Sequence, residues 1–444
     1  MVRFCFMLVT LLALSSQVNA NLNLSNSRSV SNGENENISI PKYFFADSIN
    51  QSCLMEGKHE HLSFEEVHSP LLLDLTKKKN FQWMEKLKFY NWKGDHDTRS
   101  DSLDVYMEQL TNRMNFLNAT LDNAIIQGKL DVQAKLTIKL LIAYAENNLM
   151  LDSTSIPEIK LMKEKGTFDR CYKGKGDTKA VCHWHTAQEA SRFAGQITIA
   201  ALKVKSFMDE ASSEVIGNYL KSLYKKFSQP WQDNHGKRWK KQSQVGFYQM
   251  GYGSFSVLAY AAYTQDKKLA YKTFEETHNY INNRLLENGL IVNNSFRGVR
   301  GYWYHTLGLN NILGFVALAR EWNYPLNDDF KIRISKAVDQ MSLGARDIDA
   351  YHAQWINKFN TKTYRLKFEG RDIYVGNSSL NEKDARYHIH QQAPFIDYLS
   401  KRYSNGDISF FNQEVAGVKI WKHKKRGAYY DRMLGFNPKC IPYK

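Results

Sequence analysis

Proline is scarce in this chain: eight residues among 444, with no Pro/Ser-rich linker in the middle. That argues against a string of small domains and, with abundant helix formers, favours helix over strand. Cysteine is scarce as well. Of five, Cys5 lies in the first twenty residues, leaving Cys53, Cys171, Cys182 and Cys440. This even set allows three disulfide pairings in an oxidising compartment, with Cys171–Cys182 favoured because it closes a short local loop. After the first twenty residues no apolar, uncharged run is long enough to cross a bilayer. Acidic residues are outnumbered, 45 against 60 Lys and Arg, giving a formal charge of +15 and a pI near 9.3. Phosphate-loop and metal signatures are also missing. Gly251-Tyr252-Gly253 and Gly174-Lys175-Gly176 lack the rest of a phosphate-binding pattern. His183-x-His185 and His388-x-His390 lack a nearby Cys or carboxylate at ligand spacing, so neither a metal nor another cofactor is expected.

The opening residues, MVRFCFMLVTLLALSSQVNA, read as a secretory signal peptide over 1–20, with Arg3 before the apolar run and Val18 and Ala20 before the cut. An exported, soluble chain in the periplasm or outside the cell is the expectation. Strong positive charge in such a chain suits a polyanion, and export favours an acidic polysaccharide over nucleic acid or membrane. Residues 21–40 are Asn- and Ser-rich and read as a flexible leader. Residues 41–84 read as an extension packed on the main body, which spans 85–440. Six Asn-x-Ser/Thr sequons occur, at Asn23, Asn37, Asn50, Asn118, Asn293 and Asn377.

The main body carries helical periodicity from about Ser102, where Leu103, Met107, Leu110 and Met114 recur at three- and four-residue steps. A second run includes Leu136, Leu140, Leu141 and Tyr144. Further pairs follow: Ala194–Phe207 with Val215–Phe227, Ser254–Tyr263 with Tyr271–Leu286, and Leu307–Trp322 with Phe330–Leu343. Helix pairs that each leave one face uncovered must stack on their neighbours. The expected fold is therefore all-α, a curved array of antiparallel hairpins, with a short strand or extended coil after Asp407. A monomer is the default.

The segment Asn288–His305, NGLIVNNSFRGVRGYWYH, concentrates Arg297, Arg300, Tyr304 and His305 close to Asn293 and Asn294. Guanidinium groups beside a phenol suit a reaction that must neutralise a carboxylate and then move a proton. Removal of the C5 proton of a uronate, followed by loss of the C4 oxygen, is such a reaction. Its enolate-like transition state needs Arg, Asn or Gln contacts to the carboxylate, a base and an acid. For mannuronate both proton transfers lie on one face, so one tyrosine can serve as both.

In residue order and spacing this segment resembles the catalytic segment of the bacterial periplasmic and secreted, mannuronate-specific alginate lyases. The resemblance implies an incomplete (α/α) toroid and a β-eliminating polysaccharide lyase. It gives Arg297 the carboxylate and Tyr304 the proton transfers, and places Arg300 and His305 among the substrate contacts. Upstream, Trp92–Ser100 is similar to the loop before the family's first toroid helix, with Arg99 in register. Cys182–Phe207 is similar to the cleft-lining helix, with His185 in register and Arg192 a further candidate contact. Downstream, His390–Tyr403 and Gly427–Pro438 are similar to the last helix and the closing segment. The family's Asn-Asn-His-x-Tyr-Trp motif aligns with Tyr248-Gln249-Met250-Gly251-Tyr252-Gly253. Gln249 can still offer an amide to a carboxylate, and Tyr252 counts among the substrate contacts, but Met250 takes the place of the histidine. Tyr304 is left as the clear proton-transfer group. Two alternatives stay open: a polyuronate-binding protein without catalysis, and a lyase or C5 epimerase acting on another polymer such as glucuronan or a glycosaminoglycan.

Overall fold

The computed structural model describes residues 38–50, 101–151, 184–229, 247–292, 294–296 and 301–356, and four short strands beyond them. The main body is helical. Helices α1 (Asp101–Ile126) and α2 (Leu130–Glu146) form a first hairpin, and α3 (Trp184–Val204) and α4 (Glu210–Leu223) a second. The third is α5 (Phe247–Thr264) with α6 (Lys267–Asn282), and the fourth α7 (Gly301–Glu321) with α8 (Asp328–Arg346). A short α9 (Ile348–Ile356) packs on α7 and α8. Strands β1 (Arg365–Phe368) and β2 (Arg371–Tyr374) pair antiparallel, as do β3 (Glu414–Val415) and β4 (Val418–Lys419).

Local chemistry sets the hairpins. Helices α1, α2, α5 and α7 end in the same way, with a left-handed residue (Gly128, Asn148, Gln265, Asn323) spanned by a bond back five residues. Those bonds run from Lys129 N to Ala124 O, Leu149 N to Tyr144 O, Asp266 N to Ala261 O and Tyr324 N to Ala319 O. They satisfy carbonyls that the last turn would leave open. The return helices start on side-chain caps: Asp209 accepts from Ser212 N, Asp266 from Leu269 N and Asn327 from Phe330 N, at 2.8, 2.9 and 2.8 Å. Helix α4 runs on into a π-helical turn, Tyr224–Ser228.

The first helices of the hairpins pack in succession, α1 on α3, α3 on α5, and α5 on α7. Their directions agree. Asn115 and Asn118 meet Gln196 while Asp122 meets Lys203, so α1 and α3 run parallel. Gly195 lies against Ser256 while Lys205 reaches Tyr263 O, so α3 and α5 run parallel. Helix α6 returns antiparallel to α5 and meets α7 through Tyr271–Tyr324, Phe274–Phe315 and His278–Phe315, so α7 again runs with α5. Small residues bring the backbones together: a Cβ on Gly195 would lie 3.0 Å from Ser256 Cα. The core is the apolar face of each helix, with Phe193, Ile197, Leu258, Ile312, Leu313 and Trp322 among its buried members. An ion pair is buried in it, Lys203 Nζ to Asp122 Oδ1 at 2.7 Å, with Asn118 O accepting from the same ammonium at 3.1 Å. Burial pushes the Lys203 pKa down while Asp122 pulls it back up, so Asp122 helps keep the ammonium charged.

Residues 38–50 lie on this body. Ser39 N donates to Trp322 O, Phe44 meets the Trp322 ring edge-on, and Ile38 and Phe45 are buried. Ile38, Ser39 and Ile40 fall inside the stretch expected as a flexible leader, yet they are seated here because Ile38 and Ile40 find apolar cover. The rest of 21–40, the extension from 51 to 84, the signal segment and all the cysteines lie outside the described residues. Asn118, in one of the sequons, is buried, and its amide donates to Met114 O and Gln196 O, which leaves no surface site for a sugar.

Candidate active site

The parallel first helices bring the candidate residues to one end of the array. His185 is the second residue of α3, Gln249 and Tyr252 lie in the first turns of α5, and Tyr304 is the fourth residue of α7. Arg99 precedes the start of α1 by two residues, and Arg297 and Arg300 immediately precede α7. Arg99, Arg297, Arg300 and Asn293 lie outside the described residues, and so do the side chains of His185, Gln249, Met250 and Tyr252. The helix dipoles put their positive ends here, the sign a uronate needs.

The turn before α7 is held by a set of backbone and side-chain hydrogen bonds. Helix α6 ends at Asn282, and the chain doubles back through a hairpin in which Leu286 N donates to Leu290 O and Leu285 bridges Ile291. Gly289 takes φ +85°, and a Cβ there would lie 2.3 Å from the carbonyl carbon of Lys336 in α8. Glycine is required on both counts. Gln340 of α8 donates to Asn288 O. Asn294 then donates through Nδ2 to Tyr304 O at 2.6 Å, tying the turn to the first turn of α7. The Tyr304 side chain is half-buried.

His305 is placed differently from the expectation that it touches substrate. Its ring is fully buried, with Nε2 2.9 Å from Ala337 O and Nδ1 2.8 Å from Ser295 Oγ. A carbonyl can only accept, so Nε2 carries the proton and Nδ1 accepts from the Ser295 hydroxyl. Ser295 Oγ in turn accepts from Ile291 N at 2.7 Å. Burial pushes the His305 pKa down to about 4, so the ring is neutral, and Tyr351 packs on it edge-on at 5.8 Å. With both nitrogens engaged inside the protein, the ring works as a brace. Burial likewise pushes the Tyr351 phenol far up, opposed by Ser295.

Arg192 is also buried, two turns along α3 from His185 and one turn before Gln196. Gln196 donates through Nε2 to Asn115 Oδ1 at 2.6 Å. Sequence reasoning missed the roles of Ser295, Gly289 and Tyr351. An Asn-Gly pair favours a turn and could have marked Gly289, but nothing in sequence marks Ser295 or Tyr351, since their roles arise only when α8 and α9 fold against α7. Among the described residues no group of three or more His, Cys, Asp or Glu is arranged to hold a metal ion. No described helix is long and apolar enough to cross a membrane.

Residues 194–350 match the alginate lyase family model. The match runs from α3 to α9 and takes in Gln249, Tyr252, Arg297, Arg300, Tyr304 and His305; Arg99, His185 and Arg192 precede it. It supports a polysaccharide lyase of the alginate lyase kind without naming the sugar. No curated protein and no solved structure matches the chain.

Proposed function

We propose that the protein is an exported polyuronate lyase that cleaves an alginate-like, mannuronate-containing chain by β-elimination. The observation that carries the reading is the gathering of His185, Gln249, Tyr252 and Tyr304 in the first turns of adjacent parallel helices, within or just before the matched region. The succession of parallel first helices is also what an incomplete (α/α) toroid requires, with its cleft at the end where the candidates lie. Arg297 and Gln249 neutralise the uronate carboxylate, and Arg300, His185, Arg99 and Tyr252 bind the chain, while Arg192, buried in α3, supports the cleft from behind. Tyr304 takes the C5 proton. The C–H electrons form the C4–C5 double bond as the C4–O bond breaks, and the same phenol returns a proton to the leaving oxygen. His305 serves by holding Tyr304 and does not touch the sugar. The formal charge of +15 draws the polyanion to the protein.

A second reading, a polyuronate-binding protein without catalysis, is favoured by one observation: Met250 cannot move a proton at the position where the resemblance places histidine. Ultraviolet absorbance of the new double bond separates the two. The protein is incubated with polymannuronate, polyguluronate, mixed alginate, glucuronan and hyaluronan, beside Tyr304→Phe. A rise on one polymer, reduced at least about a thousandfold in the variant, is expected and names the substrate. No rise on any polymer, with retained binding to one of them, would move the assignment to the binding protein.

A further inference from the structure

The chain of hydrogen bonds behind Tyr304 has only one direction. Ile291 N–H donates to Ser295 Oγ, the Ser295 hydroxyl to His305 Nδ1, and His305 Nε2–H to Ala337 O. It starts in the turn before α7, passes through the residue after Tyr304, and ends on α8. Asn294, next to Ser295, closes a second link by donating to Tyr304 O. The histidine, serine and asparagine are all fully buried. Between them these links fix the first turn of α7 to the hairpin turn on one side and to α8 on the other. In the same first turn, Tyr302 is also fixed to α8, its hydroxyl donating to Met341 O at 2.8 Å while its ring fills the space over Gly344. Contacts at residues 302, 304 and 305, all at the start of α7, thus decide where residue 304 sits.

We propose that His305, with Ser295 and Asn294, forms a positioning unit for the Tyr304 phenol, and that it works only with His305 as the neutral, Nε2-protonated ring. This deepens the lyase reading and rests on it for the activity readout. A proton-transfer group must be held within a few tenths of an ångström of its target, and misplacement by about 1 Å costs roughly a hundredfold in rate. Burial among apolar neighbours keeps the ring neutral, and Tyr351, the ionisable side chain seen packed on it, is itself held protonated at neutral pH.

The test uses His305→Gln, His305→Asn, Ser295→Ala and Asn294→Leu in the full chain. Glutamine keeps a donor for Ala337 O and loses the acceptor for Ser295. Asparagine keeps the acceptor and loses the donor. On the polymer that the wild type cleaves, folded variants are expected to lose kcat roughly ten- to a hundredfold, with KM within about twofold. A general loss of folded protein would lower the active fraction without this split, and unfolding curves of each variant correct for it. Nitration of Tyr304 by tetranitromethane, read by peptide mapping, supplies a second readout that needs no substrate. Its rate is expected to change at least about twofold in the variants relative to the other tyrosines, because a freed phenol meets the reagent differently. If His305→Gln and His305→Asn do not fold, Ser295→Ala and Asn294→Leu decide. Folded variants with kcat within about twofold of wild type overturn the proposal. If the wild type cleaves no polymer, the lyase reading fails and nitration decides alone: a changed Tyr304 rate keeps the positioning unit, and an unchanged rate removes it.

Discussion

Gly289 is the position where one added methyl group should do most harm. Its φ of +85° lies in the region that side chains avoid, and the Cβ would sit 2.3 Å from Lys336 C and 2.4 Å from Ala337 N, both rigid backbone of α8. Neither atom is the end of a flexible side chain, so the hairpin turn itself would have to lift. Gly289→Ala is expected to cost roughly 2–4 kcal/mol, from left-handed strain and overpacking together. Urea unfolding would show this as a lower midpoint with an unchanged slope. A midpoint equal to wild type would mean that the turn is not seated on α8. Lifting the turn would also loosen Asn294 and Ser295, so activity should fall further than stability alone explains. At this scale the sequence was partly readable. Tyr304 stands out because Arg297 and Arg300 precede it, but the same string cannot say that His305 points inward. A histidine next to a candidate tyrosine has the same chemistry whether it faces a cleft or Ala337.

At the scale of the elements, the return helices are set by single capping side chains. Asp266 follows the left-handed Gln265 directly and accepts from Leu269 N, so one residue ends the connection and starts α6. Asp266→Ala should cost about 1 kcal/mol, and Asp266→Asn, which keeps an acceptor oxygen, should cost much less. Equal losses in thermal unfolding would show that the carboxylate acts by charge and not as a cap. The apolar halves of the helices were legible: the runs from Ala194, Val215, Ser254, Tyr271, Leu307 and Phe330 all fall within α3 to α8 or the turns that close them. The starts of α3, α5 and α7 were not legible from periodicity, and for α3, only the resemblance over Cys182–Phe207 reached the helix start. Stretches such as Trp184-His185-Thr186, Phe247-Tyr248-Gln249 and Gly301-Tyr302-Trp303 carry no apolar period, because their residues are polar, aromatic or glycine. Those first turns hold the candidate site. The α6 run was read on to Leu286, whereas the helix ends at Asn282, because Leu285 and Leu286 are taken by pairing with Ile291 and Leu290. Short α9 was missed because nine residues give too few periods to see.

For the whole molecule, buried ionisable groups on different elements set opposing limits on pH. Glu321, at the end of α7, accepts from Phe45 N in the N-terminal segment. Burial, helped by Asp47, pushes its carboxyl up to about 8 from an ordinary 4.5, so it stays protonated at neutral pH. Between those values the folded chain holds a proton that the unfolded chain releases, so stability is lost as pH rises. His305 and His278 act the other way. Burial pushes both down to about 4 from 6.5, with Arg333 contributing at His278, so the unfolded chain takes up protons that the folded chain refuses. That contribution is lost as pH falls from 6.5 towards 4. Each group tilts the curve by up to about 1.4 kcal/mol per pH unit inside its window. Below 6.5 two histidines oppose one carboxyl, so stability rises with pH; above 6.5 Glu321 acts alone among the three and stability falls until about pH 8. The expected maximum therefore lies near pH 6.5, measured as unfolding free energy in urea at half-unit steps from pH 4 to 9. Glu321→Gln keeps an acceptor for Phe45 N and has no proton to lose. Its alkaline limb should be flat, and it should match or exceed the wild type by pH 8. A limb that survives in this variant would place the alkaline loss elsewhere and leave the contact between the N-terminal segment and α7 independent of pH.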